Sequence, residues 1–131
     1  MFAWMILPFQ RTLDFRGRSR RSEFWWFVVL QLIVLVIEFS IALSVPAIRD
    51  KAGALLWVPI IHCAVFGLPM VALQVRRMHD QDKSGWWVLG FCLPYIGMGF
   101  VLYFMVQPGT WGPNRFGPDP RHASWDGDLF E

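Results

Sequence analysis

Charge is what most of this chain lacks. Residues 24–45 carry a single ionisable acid, Glu38, and residues 55–75 and 86–106 carry no Asp, Glu, Lys or Arg at all. A helix at the surface of a soluble domain needs a polar outer face, whereas these blocks are apolar all round. With 55% hydrophobic residues, eight tryptophans and a mean hydropathy of +0.39 in 131 residues, a water-soluble domain is excluded and lipid is the expected solvent. Cysteine is equally scarce. Cys63 and Cys92 both lie inside apolar blocks, which excludes a disulfide framework and predicts small packing residues. No further Cys or His stands at a matching spacing, so no metal site and no cofactor is expected. The net charge is only +2, and nucleic acid is not an expected partner.

What is there is an all-α integral membrane protein with three hydrophobic segments. Residues 1–23 form an interfacial, basic N-terminus. Its first nine residues are apolar but too short to span, and the arginines follow the apolar run, an order unlike that of a cleaved signal peptide. Phe2, Trp4, Met5, Pro8 and Phe9 suit a helix lying at the acyl boundary. Arg11, Arg16, Arg18, Arg20 and Arg21 then precede the first block as an electrostatic anchor, with Ser22 as a candidate N-cap and Glu23 in the first turn. Span one, residues 24–45, is about 33 Å long as a helix, and Trp25 and Trp26 mark its interfacial end.

A short hairpin around Asp50 leads into span two, residues 55–75, and makes the two spans antiparallel neighbours. Glu38 and His62 are each twelve residues from that turn, so they are expected at one depth and in contact, each lowering the cost of burying the other. Residues 76–85 read as a polar membrane-surface loop. The third block, residues 86–106, is long enough to span but is interrupted by Gly90, Pro94, Gly97 and Gly99. It is either a kinked full span, which its length favours, or a re-entrant hairpin of two half-helices. The tail, residues 107–131, is an irregular Pro/Gly-rich surface segment with an acidic end at Asp126, Asp128 and Glu131.

Lysine and arginine counts put the N-terminus and the 76–85 loop on the cytoplasmic side of the membrane, against only Arg49 and Lys51 in the hairpin. Arg18, Arg20, Arg21, Arg76, Arg77, His79 and Asp80 then form a candidate site for anionic lipid headgroups or for a larger membrane partner. The competing reading is structural: Arg and Asp pair with one another and lock the loop. An oligomeric transporter or channel would use Glu38 and His62, and would require self-association because three spans make too small a pore. An enzyme acting on a lipid phosphate would use His79 as general acid/base with Asp80 or Asp82 orienting it, but the sequence offers no nucleophile at a convincing spacing, and no catalytic residue is assigned. Ser84 reads as the N-cap of the third block.

Three ordered motifs carry a resemblance. Phe15-Arg16-Gly17-Arg18 with Arg20-Arg21-Ser22-Glu23-Phe24-Trp25 comes first, then Arg76-Arg77-Met78-His79-Asp80 with Ser84-Gly85-Trp86-Trp87, then Pro108-Gly109-Thr110 with the run from Asn114 to Pro120. The chain resembles the bacterial inner-membrane family catalogued as domain of unknown function 805. Met78 stands where that family more often has leucine, and the acidic end beyond Pro120 is an individual extension. The resemblance implies an inner-membrane protein and no reaction. It also singles out Asn114 and Asp119 in the tail motif. A shared site would need all three motifs on one side, which three full spans would prevent.

Overall fold

The computed structural model describes residues 2–121 apart from 52, 94 and 96. The acidic end at Asp126, Asp128 and Glu131, the side chain of Cys92 and the whole of Pro94 lie outside the described residues. Five α-helices follow one another: α1 (Phe2–Gln10), α2 (Arg21–Ser44), α3 (Pro46–Arg49), α4 (Trp57–Asp80) and α5 (Gly97–Val106). Two 3-10 segments, Ala54–Leu56 and Gly85–Cys92, precede α4 and α5. Among the described residues the one β feature is an isolated bridge between Asn114 and Gly117.

Helices α2 and α4 are 24 residues each, about 36 Å, with mean hydropathies of 2.5 and 1.9 over their most apolar stretches. Only 11% of that stretch in α2 and 33% in α4 is buried within the protein. The outward residues include Leu32, Ile33, Val36, Ile37 and Ile41 of α2 and Ile60, Ile61, Val65 and Leu68 of α4. An apolar surface of that extent suits hydrocarbon and not water. The helices run antiparallel, since Glu23 near the start of α2 meets Arg76 near the end of α4, while Glu38 meets His62 towards the other end.

α1 packs on both long helices. Pro8 is fully buried, and the Phe9 ring stands edge-on to Phe27 and Phe66 with centroids 5.4 and 5.2 Å away. Phe24, Phe27, Phe66, Leu73, Met78, Phe104 and Met105 make the core. Because that core sits at the Arg21/Asp80 end of the helix pair, it is a platform under the charged residues. Cys63, expected to pack, is exposed on the outer face of α4.

Three boundaries differ from those expected. The polar stretch 76–85 is not all loop, because α4 continues through Asp80 and the turn occupies only Gln81–Ser84, with Asp82 in the left-handed region at φ 55°. Helix continues because Arg76, Arg77 and Asp80 find partners without leaving it. Ser22 is not the N-cap: α2 starts at Arg21, and Ser19 reaches forward to Glu23 instead. The third block is not one helix. Leu93 is extended at ψ 123°, the conformation forced on a residue that precedes proline, and α5 resumes only at Gly97. Ser84, by contrast, does cap the Gly85–Cys92 segment, accepting from Trp86 N–H at 3.5 Å.

Candidate functional site: an arginine-rich polar cap

The end of the helix pair where α2 begins and α4 ends carries a cap assembled from all three polar motifs. Its centre is Asp80, 3% exposed on the last residue of α4. Asp80 Oδ1 accepts from Arg18 Nε at 3.0 Å, and Oδ2 accepts from Arg77, one helical turn back. Arg18 spends its other donors on the tail, Nη1 to Gly112 O and Nη2 to Thr110 O, each at 2.6 Å. Thr110 N–H in turn donates to Asp80 O at 2.8 Å, and Arg77 also donates to Gln107 O. One carboxylate thus ties the N-terminal motif, the α4 end and the tail together. Gly109 lies against it so closely that a Cβ at that position would collide with the Asp80 carboxylate.

A second chain of contacts runs beside it. Arg76, fully buried, donates Nη1 to Arg11 O at 2.8 Å and to Asp14 O at 2.5 Å, and its Nη2 stands 3.4 Å from Glu23 Oε1. Arg11 pairs with Asp14 at 2.8 Å. Burial acts to raise the Asp14 carboxyl, but the Arg11 hydrogen bond, the Arg16 N–H and the charges of Arg11 and Arg76 outweigh it and hold it below the ordinary value. Asp119 behaves alike. Desolvation pushes it up, while the Arg121 N–H and charge, the Gly112 N–H and the charge of Arg18 outweigh it and hold it below the ordinary value.

His79 is held as a wall. Its ring stacks on Phe116 at 3.9 Å and 4°, its Nδ1 lies 3.3 Å from Gly17 O, and its carbonyl accepts from Asn114 Nδ2 at 2.9 Å. Asn114 also accepts from Phe116 N–H at 2.9 Å, which closes the tail turn. Asp119 Oδ2 accepts from Gly112 N–H at 3.2 Å and Oδ1 from Arg121 N–H at 3.0 Å.

The expected site residues therefore divide. Arg18, Arg77 and Asp80 are interior and engage one another, Arg76 is interior beside Glu23, Asn114 and Asp119 shape the tail, and His79 clamps it. Arg20 and Arg21 face a cleft of about 310 Å³ together with Ser22, Asp80, Gly109, Pro120 and Arg121. Arg20 lies over the Trp4 ring at 5.4 Å and Arg121 over Trp111 at 4.5 Å. Arg121 was not expected, and only its position one residue past the tail motif could have drawn notice. Glu38 and His62 sit apart from the cap, His62 Nδ1 3.0 Å from Glu38 Oε2, with the imidazole stacked on Phe66 at 4.5 Å.

Comparison with known proteins places this cap in a family context. Inner membrane protein YhaH of Escherichia coli K12 is 38% identical over 119 residues, 90% of this chain and 96% of its own. Inner membrane protein YhaI of the same strain is 34% identical over 125 residues, 92% of this chain and 98% of its own. Uncharacterized protein YiiR is 27% identical over 106 residues, 78% of this chain and 64% of its own. No solved structure matches significantly. The family described as "Protein of unknown function (DUF805)" matches residues 12–118, a range that contains the three motifs of the cap up to Pro118, and the chain belongs to that family of membrane proteins.

Proposed function

We propose that this is a small non-enzymatic module of the bacterial inner membrane that binds anionic lipid headgroups at the surface of its cap. The observation that carries the reading is charge. Among the described residues the cap end holds nine arginines and Lys83 against five carboxylates, Asp14, Glu23, Asp80, Asp82 and Asp119. The hairpin end holds Arg49, Asp50 and Lys51. That asymmetry supports a cytoplasmic position for the cap. The third block is then re-entrant, because both its ends lie at the cap: Gln81 donates to Phe104 O, and Arg77 reaches Gln107 O. Half-helices at membrane depth are tolerated where they pack on protein, and α4 packs against the Gly85–Cys92 segment.

Interior arginines hold the cap, and Arg20, Arg21 and Arg121 present its charge to the headgroup layer. Trp25 and Trp26 follow Arg21 within about one turn, at belt depth. The test is native mass spectrometry of the detergent-solubilised full chain with phosphatidylglycerol and phosphatidylcholine of equal acyl length. Preferential phosphatidylglycerol adducts that fall in Arg21→Gln/Arg121→Gln are expected, and equal adduction of the two lipids removes the reading.

A second reading, an oligomeric transporter, rests on the 3.0 Å Glu38–His62 contact within the apolar helix pair. Proton flux in proteoliposomes is its measure. Flux absent, or indifferent to Glu38→Gln, eliminates it.

A further inference from the structure

We infer that the groove beside Glu38, at the hairpin end of the helix pair, binds a hydrophobic organic monocation. Its charged centre sits against the Glu38 carboxylate and its apolar body among Ile41, Ile48, Trp57 and Ile61. The groove holds about 280 Å³ and opens on the outer face of the helix pair, where Ile41, Trp57 and Ile61 are exposed. Glu38 is the one ionisable residue in its lining. Its Oε2 stands 3.0 Å from His62 Nδ1, but among the described residues its Oε1 has no protein donor, and the side chain is 26% exposed. That oxygen is open to a ligand. The inference requires no movement across the membrane, so it stands apart from the transport reading that uses the same pair.

A neutral imidazole gives the carboxylate a hydrogen bond and no charge. Ionised Glu38 then holds a negative charge in an apolar slot, a costly arrangement until a cation or a proton meets it. The chain brings no cation of its own. Residues 24–45 and 57–75 contain neither Lys nor Arg, Arg49 of the hairpin is paired with Asp50 at 2.9 Å, and Lys51 is not in the lining. For the same reason the long helices of a second copy have no positive side chain to place here. A zwitterionic headgroup fits no better, since its phosphate would enter a slot without Arg or Lys. What the groove offers is hydrocarbon contact and the indole of Trp57, the side chain whose ring best attracts an organic cation. A quaternary ammonium or phosphonium with an aromatic body matches both. A bare metal ion does not, because one carboxylate cannot replace its shell of oxygen ligands.

The experiment uses the full chain in phosphatidylcholine nanodiscs with radiolabelled tetraphenylphosphonium, read by equilibrium dialysis with empty nanodiscs subtracted. Saturable binding is expected, weakened about tenfold in Glu38→Gln, a factor equal to about 1.4 kcal/mol. That change keeps an acceptor for His62 and should leave the melting temperature unchanged. Ile61→Trp, which fills the groove and leaves Glu38 and His62 in place, should weaken binding to a similar degree. Binding unchanged in either variant overturns the inference. Binding no greater than that of empty nanodiscs means that lipid or a second copy fills the groove, and overturns it too. Glu38-dependent binding without proton flux supports the inference and removes the transport reading alone, whereas Glu38-dependent flux without cation binding removes this inference alone.

Discussion

Asp80 is worth more to this protein as a shared counter-ion than as a proton carrier. Two buried guanidiniums depend on it, so Asp80→Asn leaves Arg18 and Arg77 without their charge partner, and the expected cost is about 3–5 kcal/mol, as for breaking a buried ion pair. Chemical denaturation in detergent measures it. Gly109→Ala should do comparable damage by a different route, pushing a methyl into the carboxylate. Asp119 supplies the pH dependence. Its folded-state pKa is depressed, so its stabilisation is present above the unfolded value of about 3.9 and is lost as pH falls through the folded one. The melting-temperature gap between wild type and Asp119→Asn should therefore be constant from pH 7 to 5 and close below about pH 4. At Glu38, replacement by Gln keeps an acceptor for His62 and should change little, whereas Glu38→Ala removes it, at a cost of about 1–3 kcal/mol for a buried group left unsatisfied. Sequence alone indicated the Glu38–His62 contact, because a short hairpin fixes register. It could not show that Arg76 and Arg77 are fully buried, since arginines at a helix end read equally well as surface anchors.

Among the elements, the two long helices are legible from composition, being long apolar runs bounded by charge. The third block is not, because its length fits a span and only its small residues and proline argue otherwise. What decides its shape is local packing. Gly97 is pressed against the Phe91 carbonyl, and a Cβ there would meet backbone that cannot yield. Gly97→Ala should thus separate α5 from the Gly85–Cys92 segment, and the loss of both the Arg77–Gln107 and Gln81–Phe104 contacts should lower thermal stability more than Gln81→Ala, which removes only the second. The boundary of α4 was misplaced for a related reason. Polar residues suggest a loop only when their partners are unknown, and Arg76, Arg77 and Asp80 have theirs in elements far away in sequence.

At the scale of the molecule, the cap joins the tail to the end of the helix pair where α2 begins and α4 ends. If the three motifs meet on the cytoplasmic face, a single cysteine at position 124 in a Cys63→Ala, Cys92→Ala background should resist a membrane-impermeant thiol reagent in intact cells and react after lysis. Labelling from outside would require three full crossings and would pull Thr110 and Gly112 away from Arg18.

The joint at Asp80 also sets an order in time. The chain emerges from its N-terminus, so both arginine motifs and both long helices exist before any of the carbonyls at Gln107, Thr110, Gly112 and Pro120 that receive their guanidiniums. Until those residues are made, the guanidiniums have their carboxylate partners Asp80 and Glu23 but lack the carbonyl acceptors that orient them. Closure of the cap therefore follows the synthesis of residues 107–120. A chain that stops short of Pro108 would hold its helices in the membrane yet present an unfinished, cationic end, a form that proteolysis should tell apart from the completed one.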